Sequence, residues 1–103
     1  MQALYEVFRF LKQINAVDTH KEFCTDWLGR SENYFRTLKH YNRSPSIKVI
    51  AVLSYKLQHY GNALKRQNDA TKAAIGNQLL KLHDDCEQCL HERCASVWRS
   101  EMG

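Results

Sequence analysis

Apolar residues along this chain recur at steps of three and four, with polar residues filling the gaps. Leu4, Val7, Phe8, Leu11 and Ile14 form the first stripe, which predicts an amphipathic helix with one face on a core. Asp18 and Thr19 then supply cap oxygens. Thr19 with Glu22 has the spacing of a capping box, so a second helix is expected to open here. Its apolar side is Phe23, Cys24, Trp27 and Leu28. Gly29 follows where the chain must turn, a backbone conformation that is cheap only for glycine, and Ser31 is suited to cap what comes next. A third helix over SENYFRTLKHY puts Phe35 and Leu38 on one side and leaves Glu32, Asn33, Arg36, Thr37 and Lys39 on others. Pro45 closes that element and makes 42–45 a loop, because proline breaks a helix interior and biases the residue before it toward extended backbone. Ser46 caps a fourth helix whose apolar set is Ile47, Val49, Ile50, Val52, Leu53 and Leu57, the most buried element by pattern.

Further along, Gly61 offers a helix end, and Asn68 or Asp69 offers a cap for a fifth helix. Ile75, Leu79, Leu82, Cys86, Leu90, Cys94 and Val97 fall at helical steps after it. Gly76 lies inside this run and costs about 1 kcal/mol relative to alanine, which points to a break or a close helix approach. Thirty residues of helix extend about 45 Å, more than the width of a small domain. Part of the stripe is therefore expected to need another molecule, and Leu79, Leu82, Cys86, Leu90, Cys94 and Val97 are assigned to a dimer interface. No strand-like alternation, repeat or low-complexity tract interrupts the helical pattern. The expectation is an all-α protein of five helices, with residues 1–66 as a first unit and 67–103 as a C-terminal dimerisation helix.

Composition sharpens this only a little. A chain of 103 residues, 44 % hydrophobic and 25 % charged, suits one small globular domain rather than a disordered segment. A chain of this size buries about 60 to 65 % of its unfolded surface, so a second copy would add useful burial. The apolar runs are too short for a membrane span. The N-terminus, MQALYEVFRF, carries Glu6 and Arg9 among its apolar residues, which does not suit a signal peptide. A cytoplasmic location is expected, with Cys24, Cys86, Cys89 and Cys94 reduced and no disulfide framework. The net charge of +4 permits a polyanionic partner without demanding one. The charge is also uneven: Thr19 to Pro45 holds five Lys/Arg against three acids, whereas Gly76 to Gly103 holds three against five.

A helix, a glycine turn and a second helix make the arrangement of a helix-turn-helix. Leu28 and Gly29, then Ser31, then Pro45 and Ser46, together with the interval between glycine and proline, give the stretch of about 19–58 its character. It resembles the DNA-binding domain of the phage repressor and Cro family (XRE). Phe35 and Leu38 match that family's buried recognition-helix positions, and Ile47, Ile50, Leu53 and Leu57 match the apolar ladder of the helix that follows. Two positions depart from the pattern. Thr25 stands where the family has alanine at the close contact between the two helices, and Arg30 stands where it has an apolar residue after the glycine.

The resemblance implies a lambda-repressor-like fold and a transcriptional regulator, a repressor in the first instance, that binds double-stranded DNA as a homodimer. The segment 31–40 would lie in the major groove, where the N-terminal residues of such a helix meet base edges. Ser31, Glu32, Asn33, Tyr34, Arg36 and Thr37 are the candidates for bases. Arg36 suits guanine and Asn33 suits adenine, each through two hydrogen bonds, while Glu32 can accept from a cytosine amino group. Lys21, Arg30, Lys39, His40 and Arg43 are the candidates for phosphates, which set register and bring salt dependence but not sequence. Tyr34 has an equal claim to packing against the first helix, and Trp27 reads as core.

Other chemistries find less support. Cys86 and Cys89 form a CxxC with His83, His91 and Cys94 nearby, ligand types that suit zinc. Side chains on one continuous helix diverge, so only a site shared across a dimer would complete four ligands. Packed, reduced cysteines are the expectation, with no metal and no cofactor. Cys24 and His20 have helical spacing but no orienting carboxylate, and no phosphate loop or acid pair is present, so an enzyme is not expected. The alternative function is a helical module that binds a protein partner, since one fold serves many functions.

Overall fold

The computed structural model describes residues 2–102, which form helices joined by short turns and loops, with no strand among them. Helix α1 spans Gln2–Gln13, α2 spans His20–Glu22 and runs on into a π-helical turn at Phe23–Trp27, α3 spans Tyr34–His40, α4 spans Ile47–Lys65, and α5 spans Ala70–Met102. Local chemistry fixes the starts of the helices. The Glu22 N–H donates to Thr19 Oγ1 at 3.2 Å, and Glu22 Oε2 accepts from the Asp18 N–H at 3.0 Å. The capping box therefore forms, with its return bond reaching one residue further back than Thr19 itself. Ser46 Oγ accepts from the Val49 N–H at 3.2 Å to open α4. Asp69, not Asn68, opens α5, accepting from the Thr71 and Lys72 N–H groups at 2.8 and 3.1 Å.

Three residues with positive φ close the first three helical segments: Asn15 at 63°, Gly29 at 64° and Asn42 at 50°. After Asn15, the Ala16 N–H donates to Leu11 O at 2.8 Å; after Asn42, the Arg43 N–H donates to Leu38 O at 2.8 Å. These are Schellman-type closures, in which asparagine is the usual substitute for glycine. Gly61, by contrast, ends nothing. It lies inside α4 at the point where α5 crosses, and a Cβ there would come within 2.9 Å of Leu80 Cγ. Gly76 is its counterpart on α5, where a Cβ would meet Gly61 O at 2.7 Å. The two glycines let the helix backbones approach more closely than any side chain would allow.

One apolar core joins all five helices. Leu4, Val7, Phe8 and Leu11 enter from α1, Phe23 and Cys24 from the π turn, Phe35 and Leu38 from α3, and Val49, Ile50, Leu53 and Leu57 from α4. Leu79, Leu82 and Cys86 of α5 are buried in this same core. These three are thus corrected as dimer-interface residues, since their apolar area is already covered within the chain. The expected boundary at residue 67 falls inside one packed unit for the same reason. Leu90 is half-buried, while Cys94 and Val97 are exposed. Val52 is a further correction: it points away from the core, and Ile47 is only half-buried.

Ser54 is the one buried polar side chain among the described residues, and α5 satisfies it. Its hydroxyl donates to Glu87 Oε1 at 2.6 Å, and His83 Nδ1 lies 2.9 Å from Ser54 O and 2.8 Å from Ser54 Oγ. A carbonyl only accepts and the single hydroxyl hydrogen is used on Glu87, so Nδ1 of His83 carries the ring hydrogen. At about 1.5 Å per residue, the 33 residues of α5 account for the 51 Å long axis of the molecule.

The glycine crossing sets the sign of a simple substitution. In a free helix Gly76→Ala would gain about 1 kcal/mol. Here overpacking against the α4 backbone should outweigh that gain and cost a net 1–3 kcal/mol or so. The urea midpoint of the variant is expected to fall, and a rise would show that the helices do not approach this closely.

Candidate nucleic-acid interface

The turn that presents α3 is built from its two ends. At Phe23–Trp27 the helix widens by one residue, so that the Leu28 N–H donates to Phe23 O at 3.1 Å, five positions back. Such an insertion rotates the residues after it. Phe23 and Cys24 both turn inward and are buried, while Thr25 turns out and its hydroxyl donates to Lys21 O at 3.0 Å. Cys24 and not Thr25 therefore faces the start of α3. Burial pushes the Cys24 thiol up from its ordinary value, against the opposing pull of the Phe35 and Tyr34 backbone N–H groups. Lys56 of α4 holds the end of the turn, its Nζ donating to Asp26 O at 3.1 Å and to Trp27 O at 3.0 Å. A cation at free C-terminal carbonyls is also favoured by the helix dipole.

The segment from Gly29 to Asn33 is not helical. Tyr34 donates to the carbonyl of Ser31 at 3.1 Å, and no side chain caps α3. The expected recognition helix over 31–40 therefore starts three residues later. Ser31, Glu32 and Asn33 sit in the turn before it, all exposed. Ser31 closes the turn through its carbonyl, not through its hydroxyl.

Of the candidates for base edges, Arg36 and Thr37 are exposed on the outer side of α3. Tyr34 is half-buried against the core, with the Arg30 guanidinium 5.6 Å from its ring centre. Arg30 thus covers an aromatic face. Lys21, Arg30, Lys39, His40 and Arg43 are all exposed. Arg43 lies 5.5 Å over the Tyr41 ring, and His40 packs edge-on to the same ring at 4.7 Å. Lys21 is paired to Glu32 at 3.1 Å, so the one acid in the turn carries a neighbouring cation. The pair is well exposed and contributes little to stability.

An open cleft of about 550 Å³ separates the α1–α2 side from α3. Lys12, Lys21 and Arg36 stand on its walls with Asp18 and Glu32, and the His20 ring lies at its base, 4.4 Å from Phe8 and 5.0 Å from Phe35. Neither Lys12 nor His20 is among the DNA contacts expected from the sequence. Their spacing to Arg36 carries no periodic signal, because three separate elements bring them together. From the far side, Arg93 of α5 donates to the Pro45 carbonyl, tying the exit of α3 to the longest helix.

The cysteines do not converge on a metal. No group of three or more metal-ligating side chains gathers among the described residues, and His83 is committed to Ser54. Cys86 is buried, which pushes its thiol up to about 12, with Cys89, Asp85 and Glu87 adding to the effect. Cys89 is half-buried and Cys94 exposed, and all four cysteines are free.

A family model matches residues 4–99, and the chain belongs to that family, described as a family of unknown function, DUF6626. No curated protein and no solved structure matches the chain.

The thiol environments predict an order of reaction. At mildly alkaline pH an alkylating reagent should modify Cys94 first and Cys89 next, while Cys24 and Cys86 remain protected until urea unfolds the chain. Peptide mass spectrometry of native and unfolded samples checks this. Fast native labelling of Cys24 would show that the α2–α3 contact is open.

Proposed function

We propose that this protein is a sequence-specific DNA-binding transcriptional regulator, a repressor working in the cytoplasm, that holds duplex DNA as a homodimer through the turn at 31–33 and α3. The observation that carries this reading is the two-sided character of α3. Phe35 and Leu38 anchor it inward, while Arg36, Thr37, Lys39 and His40 are exposed on the outside. A rigidly held helix with a free polar face is what groove reading requires.

In this reading Arg36 and Asn33 make paired hydrogen bonds to guanine and adenine, with Ser31, Glu32 and Thr37 as adjacent contacts. Tyr34, half-buried, supports the helix and offers its edge at most. Lys21, Arg30, Lys39, His40 and Arg43 serve the phosphates, and Lys12 joins them from α1 across the cleft. A two-fold pair would place the two α3 helices about 34 Å apart and favour a palindromic site.

Selection of bound sequences from random duplex DNA, followed by gel retardation, tests the reading. Enrichment of a two-fold motif is expected, with affinity falling steeply as salt rises. Arg36→Ala should lose about 1–3 kcal/mol on the selected site and relax its sequence preference. Lys39→Ala should weaken all duplexes about equally and reduce the salt slope by about one. No enrichment, with neither variant altering retardation, would move the function to a protein-binding module.

A further inference from the structure

Between the start of α1, the loop before α4 and the middle of α5 lies a small cavity of about 60 Å³. Leu4, Pro45, Ile50, Leu53 and Cys86 are its buried walls. The half-buried Arg93 and the exposed Ser44 mark the side that opens to solvent. The site is thus apolar within and cationic at its opening.

That cation has no carboxylate of its own. Arg93 donates to the Pro45 carbonyl, its one hydrogen bond among the described residues, and no acid among them lies within ion-pair reach of it. On α5 itself, the positions three and four residues away are Cys89, Leu90, Ser96 and Val97, where a helical ion pair would have its acid. No acid lines the cavity either. A guanidinium carries five N–H donors in a planar fork that fits a carboxylate through two parallel bonds, so one carbonyl leaves most of its capacity unused. A cation drawn partly out of water is stabilised by a paired anion more than by a carbonyl dipole.

We propose that this cavity binds a small monocarboxylic acid, its carboxylate on the Arg93 guanidinium and its short hydrocarbon chain against Leu4, Ile50 and Leu53. Apolar walls with one well-placed polar anchor are the usual make-up of a small-molecule site. Volume limits the chain. A cavity of about 150 Å³ takes up benzene, so one of this size encloses about two or three carbons. With the carboxyl carbon at the opening, the ligand has about three or four carbons in all, as in propionate or butyrate. A dicarboxylate is excluded, because its second charge would be buried unpaired. Nothing in this assignment depends on what α3 binds.

Cys89 reports occupancy, since it lines the cavity, while the exposed Cys94 lies outside it and serves as the internal control. Timed alkylation of the full chain at constant ionic strength, read by peptide mass spectrometry, is the test. Sodium butyrate should slow the modification of Cys89 in proportion to the sites it fills, about tenfold at ten times its dissociation constant. Cys94 should not change, and butanol, which has the same chain but no charge, should not protect. Arg93→Gln should raise the half-protecting concentration by about tenfold or more. Arg93→Lys keeps the charge without the fork and should fall between. Circular dichroism confirms that each variant stays helical. A second variant leaves the guanidinium in place: Ala3→Leu enlarges a side chain that lines the cavity and should abolish the butyrate effect. Equal slowing of Cys94, equal protection by butanol, or undiminished protection in Arg93→Gln would overturn the proposal. A wild-type chain whose Cys89 reacts at the same rate with and without butyrate would overturn it as well.

Discussion

Phe35 is the contact on which the presentation of α3 depends. Its ring lies within 5.0–6.1 Å of the rings of Tyr5, Phe8, His20 and Phe23, which come from α1, α2 and the π turn. A seven-residue helix has no stability of its own in water, because the cost of nucleating it exceeds what a few backbone bonds return. Tertiary burial has to supply the difference, and Phe35 with Leu38 supplies it. Truncating a buried aromatic of this kind typically costs about 3–5 kcal/mol, a large share of the stability of a chain this small. The orientation of α3 and the existence of α3 are therefore set by the same contact.

Helices α4 and α5 act as the frame that holds this cluster in place. Close approach at Gly61 and Gly76 brings the two backbones together at one end, and Ser54 with His83 and Glu87 fixes their register further along. A buried hydroxyl that finds its partners in only one alignment penalises a slipped register by leaving a polar group unsatisfied. From this frame two cations reach outward to main-chain carbonyls: Lys56 to the end of the π turn, and Arg93 to Pro45 after α3. The segment from the π turn to the end of α3 is thus clamped at its inner turn and at its exit by charged side chains of the scaffold.

The number, order and approximate extent of the helices were legible in the sequence because each rests on local chemistry: the 3.6 period, Thr19 with Glu22, Ser46, Pro45 and Gly29. What local chemistry does not encode was missed. Asn15 and Asn42 end helices as Gly29 does, but asparagine is common enough elsewhere that position alone does not mark it. The π turn, the late start of α3 and the replacement of Thr25 by Cys24 at the helix contact follow from one inserted residue that has no sequence signature. Periodicity also identifies an apolar face without saying what covers it. That is why Leu79, Leu82 and Cys86 read as an interface between molecules when α1 and α4 cover them within one, and why Val52 read as core. In the candidate site, Arg36 and Lys39 were found from the turn, whereas Lys12 and His20 needed the fold to bring α1 and α2 beside α3.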